Sequence, residues 1–137
     1  MRQFLRQTYA VFTWLFLAAV VVQFFLAGLG VFVNPEDFGF HAMFGAIILL
    51  IGLLALALSF AAGLPWRTTG LTALLPTLVL VQVALVELGH AFLPALAAFH
   101  VINALVIFSV SGYVALQARS LFASHAMAPA RVVPQLH

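Results

Sequence analysis

Cysteine is absent from this chain, and that single absence removes disulfides, thiolate metal centres, iron–sulfur clusters and covalent c-type haem attachment. Any metal must use His, Met, carboxylate or carbonyl ligands. Charge is also scarce. Five arginines and three acidic residues make up 6% of the 137 residues. The resulting pI near 10.0 reflects small numbers, since so few cations cannot build the phosphate-tracking stripe that nucleic-acid binding needs. Nucleic acid is therefore excluded as a partner. What the chain does have is apolar surface: 66% hydrophobic residues and a mean hydropathy of +1.23, far outside the range of water-soluble domains. The sequence reads as an integral membrane protein whose first partner is the lipid bilayer, with no room for a separate soluble domain.

A hydrocarbon core is crossed by about 20 apolar residues, and four such runs fit between the turn signals. The expected helices cover about 8–33, 38–62, 69–89 and 94–119, together a membrane domain over 1–119, followed by a short cytoplasmic tail over 120–137. Arg2 and Arg6 ahead of the first run resemble the start of a signal peptide. The run from Tyr9 to Val33 is about twice the length of a secretory apolar core, however, so it reads as an uncleaved first helix. Asn34-Pro35-Glu36-Asp37 closes that helix, because proline cannot continue the ladder, and places two acids where the dipole of the second helix favours them. Gly63 to Thr69 makes the next turn, with a threonine available to cap the third helix and Trp66 at headgroup level. Pro76 should kink the third helix, with a hydroxyl such as that of Thr72 able to satisfy the freed carbonyl. Pro94 suits the first turn of the fourth helix.

Arg2, Arg6, Arg67 and Arg119 fall at one end of such a bundle, and Glu36, Asp37 and Glu87 at the other. The positive-inside rule then puts both termini and the middle turn in the cytoplasm. A bacterial inner membrane is the expected location.

The chain also matches itself at a spacing of 59 residues. Thr13 falls on Thr72, Gln23 on Gln82, Gly30 on Gly89, Pro35 on Pro94, Phe40 on Phe99 and His41 on His100. Apolar coincidences mean little in so greasy a chain, but Gln, Gly, Pro and His are rare here. The expected fold is thus all-α: a four-transmembrane-helix bundle made of two tandem two-helix repeats related by a pseudo-two-fold axis along the membrane normal. That symmetry sets the second helix diagonal to the fourth and brings His41 and His100 to equal depth.

Two imidazoles facing one another inside a bundle are a suitable axial pair for haem iron. The plainer reading, two interfacial polar residues copied by duplication, stands beside it. Gly45 and Ala104, four residues after each histidine, share its helix face and leave room for a flat ring. Gln23 and Gln82 lie near the bilayer midplane and read first as interhelical hydrogen-bonding groups, second as a polar wall below a cofactor or quinone. Asn103 offers support to His100, with only Phe44 at the corresponding place in the first half. Glu87 and His90 read first as solvated boundary residues, second as a proton relay or as groups that orient a propionate, and Met43 points away from His41. His125 and His137 lie in the tail and carry no assigned role.

The segments Gln23–Gly30 and Gln82–Gly89, together with Phe40-His41 and Phe99-His100, resemble one four-helix half of haem A synthase. The outline is also similar to small four-helix bacterial membrane proteins. The resemblance implies a haem-ligand role for His41 and His100. Haem A synthases carry a glutamate three residues before the first histidine and an arginine directly after it, whereas Phe38 and Ala42 stand here, so the oxidative chemistry does not carry over. The expectation is a haem b protein acting in electron transfer, or as a cytochrome subunit of a larger complex, and an electron carrier rather than a haem-modifying oxidase. Other membrane subunits or a homodimer are the expected protein partners. The alternative is a cofactor-free structural or assembly subunit. A small transporter is disfavoured by the lack of a midplane carboxylate.

Overall fold

A helix in lipid must satisfy its own backbone, so the informative places in this chain are where helices stop. In the computed structural model, which describes residues 1–123, α1 covers Arg2–Phe32. It ends where Asn34 donates its backbone N–H to the Leu29 carbonyl and accepts, through its side chain, from the Glu36 N–H at 3.1 Å. The 3-10 turn Pro35–Asp37 follows and leads into α2, Phe38–Ala61. α2 stops at Gly63, whose φ of +60° is the left-handed conformation that glycine adopts without steric cost. Gly63 and Leu64 donate back to the carbonyls of Phe60 and Ser59, closing the helix end.

α3 covers Trp66–Ala91 and α4 Pro94–Ala123. α3 starts earlier than the hydropathy pattern implies, directly after Pro65, and no side chain caps it. The expected threonine cap is replaced by proline's preset φ. Pro76 stays inside α3. The Thr72 hydroxyl does not turn to the carbonyl that proline frees. It donates to the Thr68 carbonyl at 2.8 Å and pairs with the Tyr9 hydroxyl at 2.8 Å. The helical residues 120–123 extend α4 into what the hydropathy pattern reads as tail. The remainder of that tail, with His125, Arg131 and His137, lies outside the described residues.

All four helices are long and apolar enough to cross a membrane. α1 packs on α2 and α4, and α3 packs on the same two, so α2 and α4 stand diagonally in the bundle. Gln3 reaches from the start of α1 to the Leu121 carbonyl, bringing Arg2 and the end of α4 to one end of the bundle. The 3-10 turn, His41 and His100 lie at the other.

The helices meet through small or hydroxylated residues in the half nearer Arg2. Ala10, Thr13, Ala55, Ser59, Thr72, Ser111, Ala115 and Ala118 are all buried, and such residues let backbones approach closely without a hydrophobic driving force. Their hydroxyls turn back onto their own helices, as Thr13 does to Ala10, Ser59 to Leu56 and Ser111 to Phe108. Phe16, Leu75, Ile48 and Ile107 fill the middle. A β-carbon on Gly52 would lie 3.0 Å from the Phe16 ring and 3.3 Å from the Pro76 nitrogen. Large apolar residues elsewhere are exposed, as a lipid-facing surface requires.

The tightest approach is at Gly89, where an added β-carbon would stand 2.7 Å from the backbone nitrogen of Ala97. Backbone cannot swing aside as a side chain can. Gly89→Ala should therefore destabilise the bundle by about 1–3 kcal/mol, the usual cost of overpacking. Gly28→Ala, with nothing within 4 Å, should be neutral or slightly stabilising. Thermal unfolding of the two variants in detergent checks the contrast.

Candidate functional site

A glutamine side chain in an apolar helix needs partners that lipid cannot provide. Gln23 on α1 donates through Nε2 to the His41 carbonyl on α2 at 2.8 Å, and His41 returns its Nδ1 to the Gln23 carbonyl at 3.2 Å. The same exchange occurs 59 residues later. Gln82 Nε2 donates to the His100 carbonyl at 2.9 Å, and His100 Nδ1 lies 3.4 Å from the Gln82 carbonyl. Each helix pair is thus closed by a reciprocal clasp in which both side chains reach the other's backbone.

The clasps also decide the chemistry of the rings. A carbonyl oxygen can only accept, so these bonds require the hydrogen on Nδ1 and leave Nε2 of the neutral ring as a free lone pair. The two rings meet, with centroids 6.0 Å apart and planes inclined by 56°. That separation is one at which two rings pack against each other.

Around the rings lies a cavity of about 430 Å³ bounded by all four helices, within the size range of small-molecule sites. Val20, Ile48, Val79 and Ile107 form its floor, and Gln23 and Gln82 lie just above. Gly45 and Ala104 line it as expected, and a β-carbon on Gly45 would stand 3.5 Å from the Gln23 amide nitrogen. Sixteen of the seventeen lining residues form eight pairs spaced by 59, from Val20 with Val79 to Ile48 with Ile107. Glu87 is the exception, with Gly28 at its matching position. Glu87 is exposed, as its boundary position implies, and also lies on the cavity wall.

Asn103 does not line the cavity. Its Nδ2 donates to the Leu78 carbonyl at 2.9 Å and to Gln82 Oε1 at 2.6 Å, so it braces Gln82 rather than His100 directly. Phe44, its counterpart, packs against the core instead. Gln23 Oε1 is consequently buried without a hydrogen-bond partner. Met43 is 62% exposed and turned away from the rings, and His90 is also exposed.

Sequence reasoning noted Phe38 only as a departure from haem A synthase and missed its contact with His41. Its ring stands edge-on to His41, with centroids 6.2 Å apart and planes at 86°, in space that exists because Gly30 has no β-carbon. The i, i+3 spacing to His41 was the available signal. Among the described residues no group of three or more His, Asp or Glu side chains converges. A closed structural zinc site takes four protein ligands, more than the two imidazoles here supply.

Residues 23–91, just over half of the chain, match the family of unknown function DUF6220, and the protein belongs to that family. The match begins at Gln23 and includes His41 and Gln82. No curated protein and no solved structure gives a significant match.

The bracing by Asn103 makes the two clasps unequal. Gln82→Leu removes the bond to the His100 carbonyl and the acceptor of one Asn103 N–H, whose amide keeps its bond to the Leu78 carbonyl, whereas Gln23→Leu loses one bond and relieves a partnerless oxygen. Gln82→Leu should cost about 1–3 kcal/mol more, the range for orphaning a buried polar group. Comparing unfolding temperatures of the two variants in detergent measures the difference.

Proposed function

We propose that this protein is a membrane haem protein that transfers electrons, alone or as a cytochrome subunit of a larger complex, with haem b held by Nε2 of His41 and His100. One observation carries the reading. The two imidazoles stand 6.0 Å apart at an apolar cavity, with each Nδ1 turned to a backbone carbonyl. Backbone acceptors of this kind fix the tautomer of a metal-binding histidine and raise its basicity. When bound, the iron porphyrin supplies reversible one-electron chemistry.

The chain's own residues do the rest. Gln23 and Gln82 hold the histidine backbones at one depth, Gly45 and Ala104 keep the space beside the rings clear, and Val20, Ile48, Val79 and Ile107 keep it dry. The likeness to haem A synthase supports the same ligands. Phe38 and Ala42, standing where that family has Glu and Arg, favour an electron carrier over an oxidase.

We read the two helix pairs as a duplicated unit about a pseudo-two-fold axis along the membrane normal. The 59-spaced clasps and cavity pairs support it, as do matching turn bonds such as Asn34 N–H to Leu29 and Leu93 N–H to Leu88. Arginines at one end and acids at the other favour cytoplasmic termini in a bacterial inner membrane. Other membrane subunits or a second copy of the chain are the proposed protein partners. A cofactor-free structural subunit would account for each clasp singly, but gives no reason for the rings of two separate clasps to meet.

Protein purified from haem-sufficient cells should show a Soret and an alpha band that change reversibly on reduction and reoxidation. His41→Ala and His100→Ala should each abolish the low-spin spectrum, with unfolding curves confirming that the variants fold. A spectrum without these bands, or one that both substitutions leave unchanged, overturns the proposal.

A further inference from the structure

A polar side chain that faces outward from a membrane span finds its partners on another helix, and α4 carries three such side chains along one stripe. Its buried residues, Ile107, Ser111, Val114, Ala115 and Ala118, face the rest of the bundle. Ser109, Tyr113 and Gln117 are exposed, each four residues after the last, and so share another side of the helix. The positions 59 residues earlier are Leu50, Leu54 and Leu58 on α2, a residue type that lipid favours. The fold thus accepts leucine at these places, and α4 has polar groups instead. α4 is also the least enclosed helix, with 11% of its membrane-spanning stretch buried against 22% in each of the other three.

Ser109 turns its hydroxyl to the Leu105 carbonyl at 2.8 Å and contributes small size, which lets a further helix come close. Tyr113 and Gln117 are not satisfied in that way. Gln117 Nε2 donates to the Tyr113 hydroxyl at 2.8 Å, which leaves the phenol hydrogen, the second amide N–H and Gln117 Oε1 unspent among the described residues. Helix side chains lean toward the helix N-terminus, so these groups lean away from Arg119 and toward the apolar layer. Donors and an acceptor held together on one face make that face complementary to itself, the condition for an isologous contact.

We propose that two copies of this chain associate through α4 about a two-fold axis along the membrane normal, the Tyr113 hydroxyl of each copy donating to Gln117 Oε1 of the other. The proposal builds on the second copy already put forward as a partner, and it is independent of what the cavity holds. Copies inserted the same way round set these groups at equal depth. Because each hydroxyl already touches its own amide, both bonds between the copies form at one place.

The absence of cysteine makes a single introduced thiol a clean reporter. Leu116→Cys lies on the α4 face and Ala57→Cys at the matching place on α2, both at exposed positions. With the full chain in liposomes, mild oxidation should cross-link Leu116→Cys into a dimer and leave Ala57→Cys monomeric. Tyr113→Leu combined with Gln117→Leu, which installs the residues of α2, should weaken dimerisation in sedimentation equilibrium by about five- to thirtyfold, the range for two interhelical hydrogen bonds. Tyr113→Phe, which removes only the hydroxyl, should reproduce most of that loss. A monomer at every protein-to-lipid ratio would mean that the two side chains only anchor α4 at headgroup level, and overturns the proposal. Equal cross-linking from both thiols, or a dimer that the leucine pair leaves unchanged, overturns it as well. A cross-link in native membranes to a protein of different mass, in place of the dimer, replaces the second copy by another subunit and also overturns it. None of these readouts involves the optical spectrum, so failure here is told apart from failure of the haem reading.

Discussion

The reciprocal exchange between glutamine and histidine is the constraint on which the rest of this molecule rests. An amide in the apolar interior has no water to turn to, and a helical carbonyl on the neighbouring helix still has a second lone pair to offer. By donating there, Gln23 and Gln82 set the depth of α2 against α1 and of α4 against α3. By returning its own ring nitrogen to the glutamine backbone, each histidine loses its freedom to rotate and its choice of tautomer. Position, orientation and protonation of the rings are therefore one property, produced by one pair of residue types. Small residues at Gly45 and Ala104 make the arrangement possible, since bulk at either place would crowd the amides or the rings.

The two clasps share a design but not an energy. Asn103 completes the polar accounting around Gln82, while Phe44 trades that completion for core packing and leaves Gln23 with an unmatched oxygen. At the junctions a similar trade occurs. Gly89 lets backbone meet backbone beside Ala97, whereas Gly30 makes room for the Phe38 ring. The second helix pair is thus drawn together by main-chain approach and the first is wedged by an aromatic side chain. Each half keeps the same glutamine–histidine exchange, while the surroundings differ, the Phe38 ring standing against His41 where the second half has Ala97.

Much of this was legible before any coordinates. The four spans follow from apolar length, and their turns from proline and glycine, because these residues act locally. The helix ends were less legible. Arg2 to Gln7, Trp66 to Thr68 and Ser120 to Ala123 are helical but polar or mixed, and hydropathy carries no information once a helix leaves the hydrocarbon. The importance of Gln23, Gln82, His41 and His100 showed in their shared spacing. Their mutual bonding did not, since it depends on how two helices cross and not on either sequence alone. Glu87 is exposed, as its place at the helix boundary implies, and its position on the cavity wall comes from helix packing that the sequence does not display. Thr72 lay close to the carbonyl freed by Pro76, yet Tyr9, 63 residues away, decided which way its hydroxyl faces.

The packing beneath the cavity has a consequence for the membrane as an insulator. Phe16 and Leu75 are fully buried just under the floor, with Thr13, Ser59 and Ser111 sealed among alanines below them, and each of those three hydroxyls is turned onto its own helix. The Tyr9 and Thr72 hydroxyls pair with each other in the same half, and Thr72 passes its hydrogen to the Thr68 carbonyl. The cavity is therefore confined to the half that bears the 3-10 turn, and the packed side chains beneath it are the part of the bundle that adds to the insulation of the bilayer.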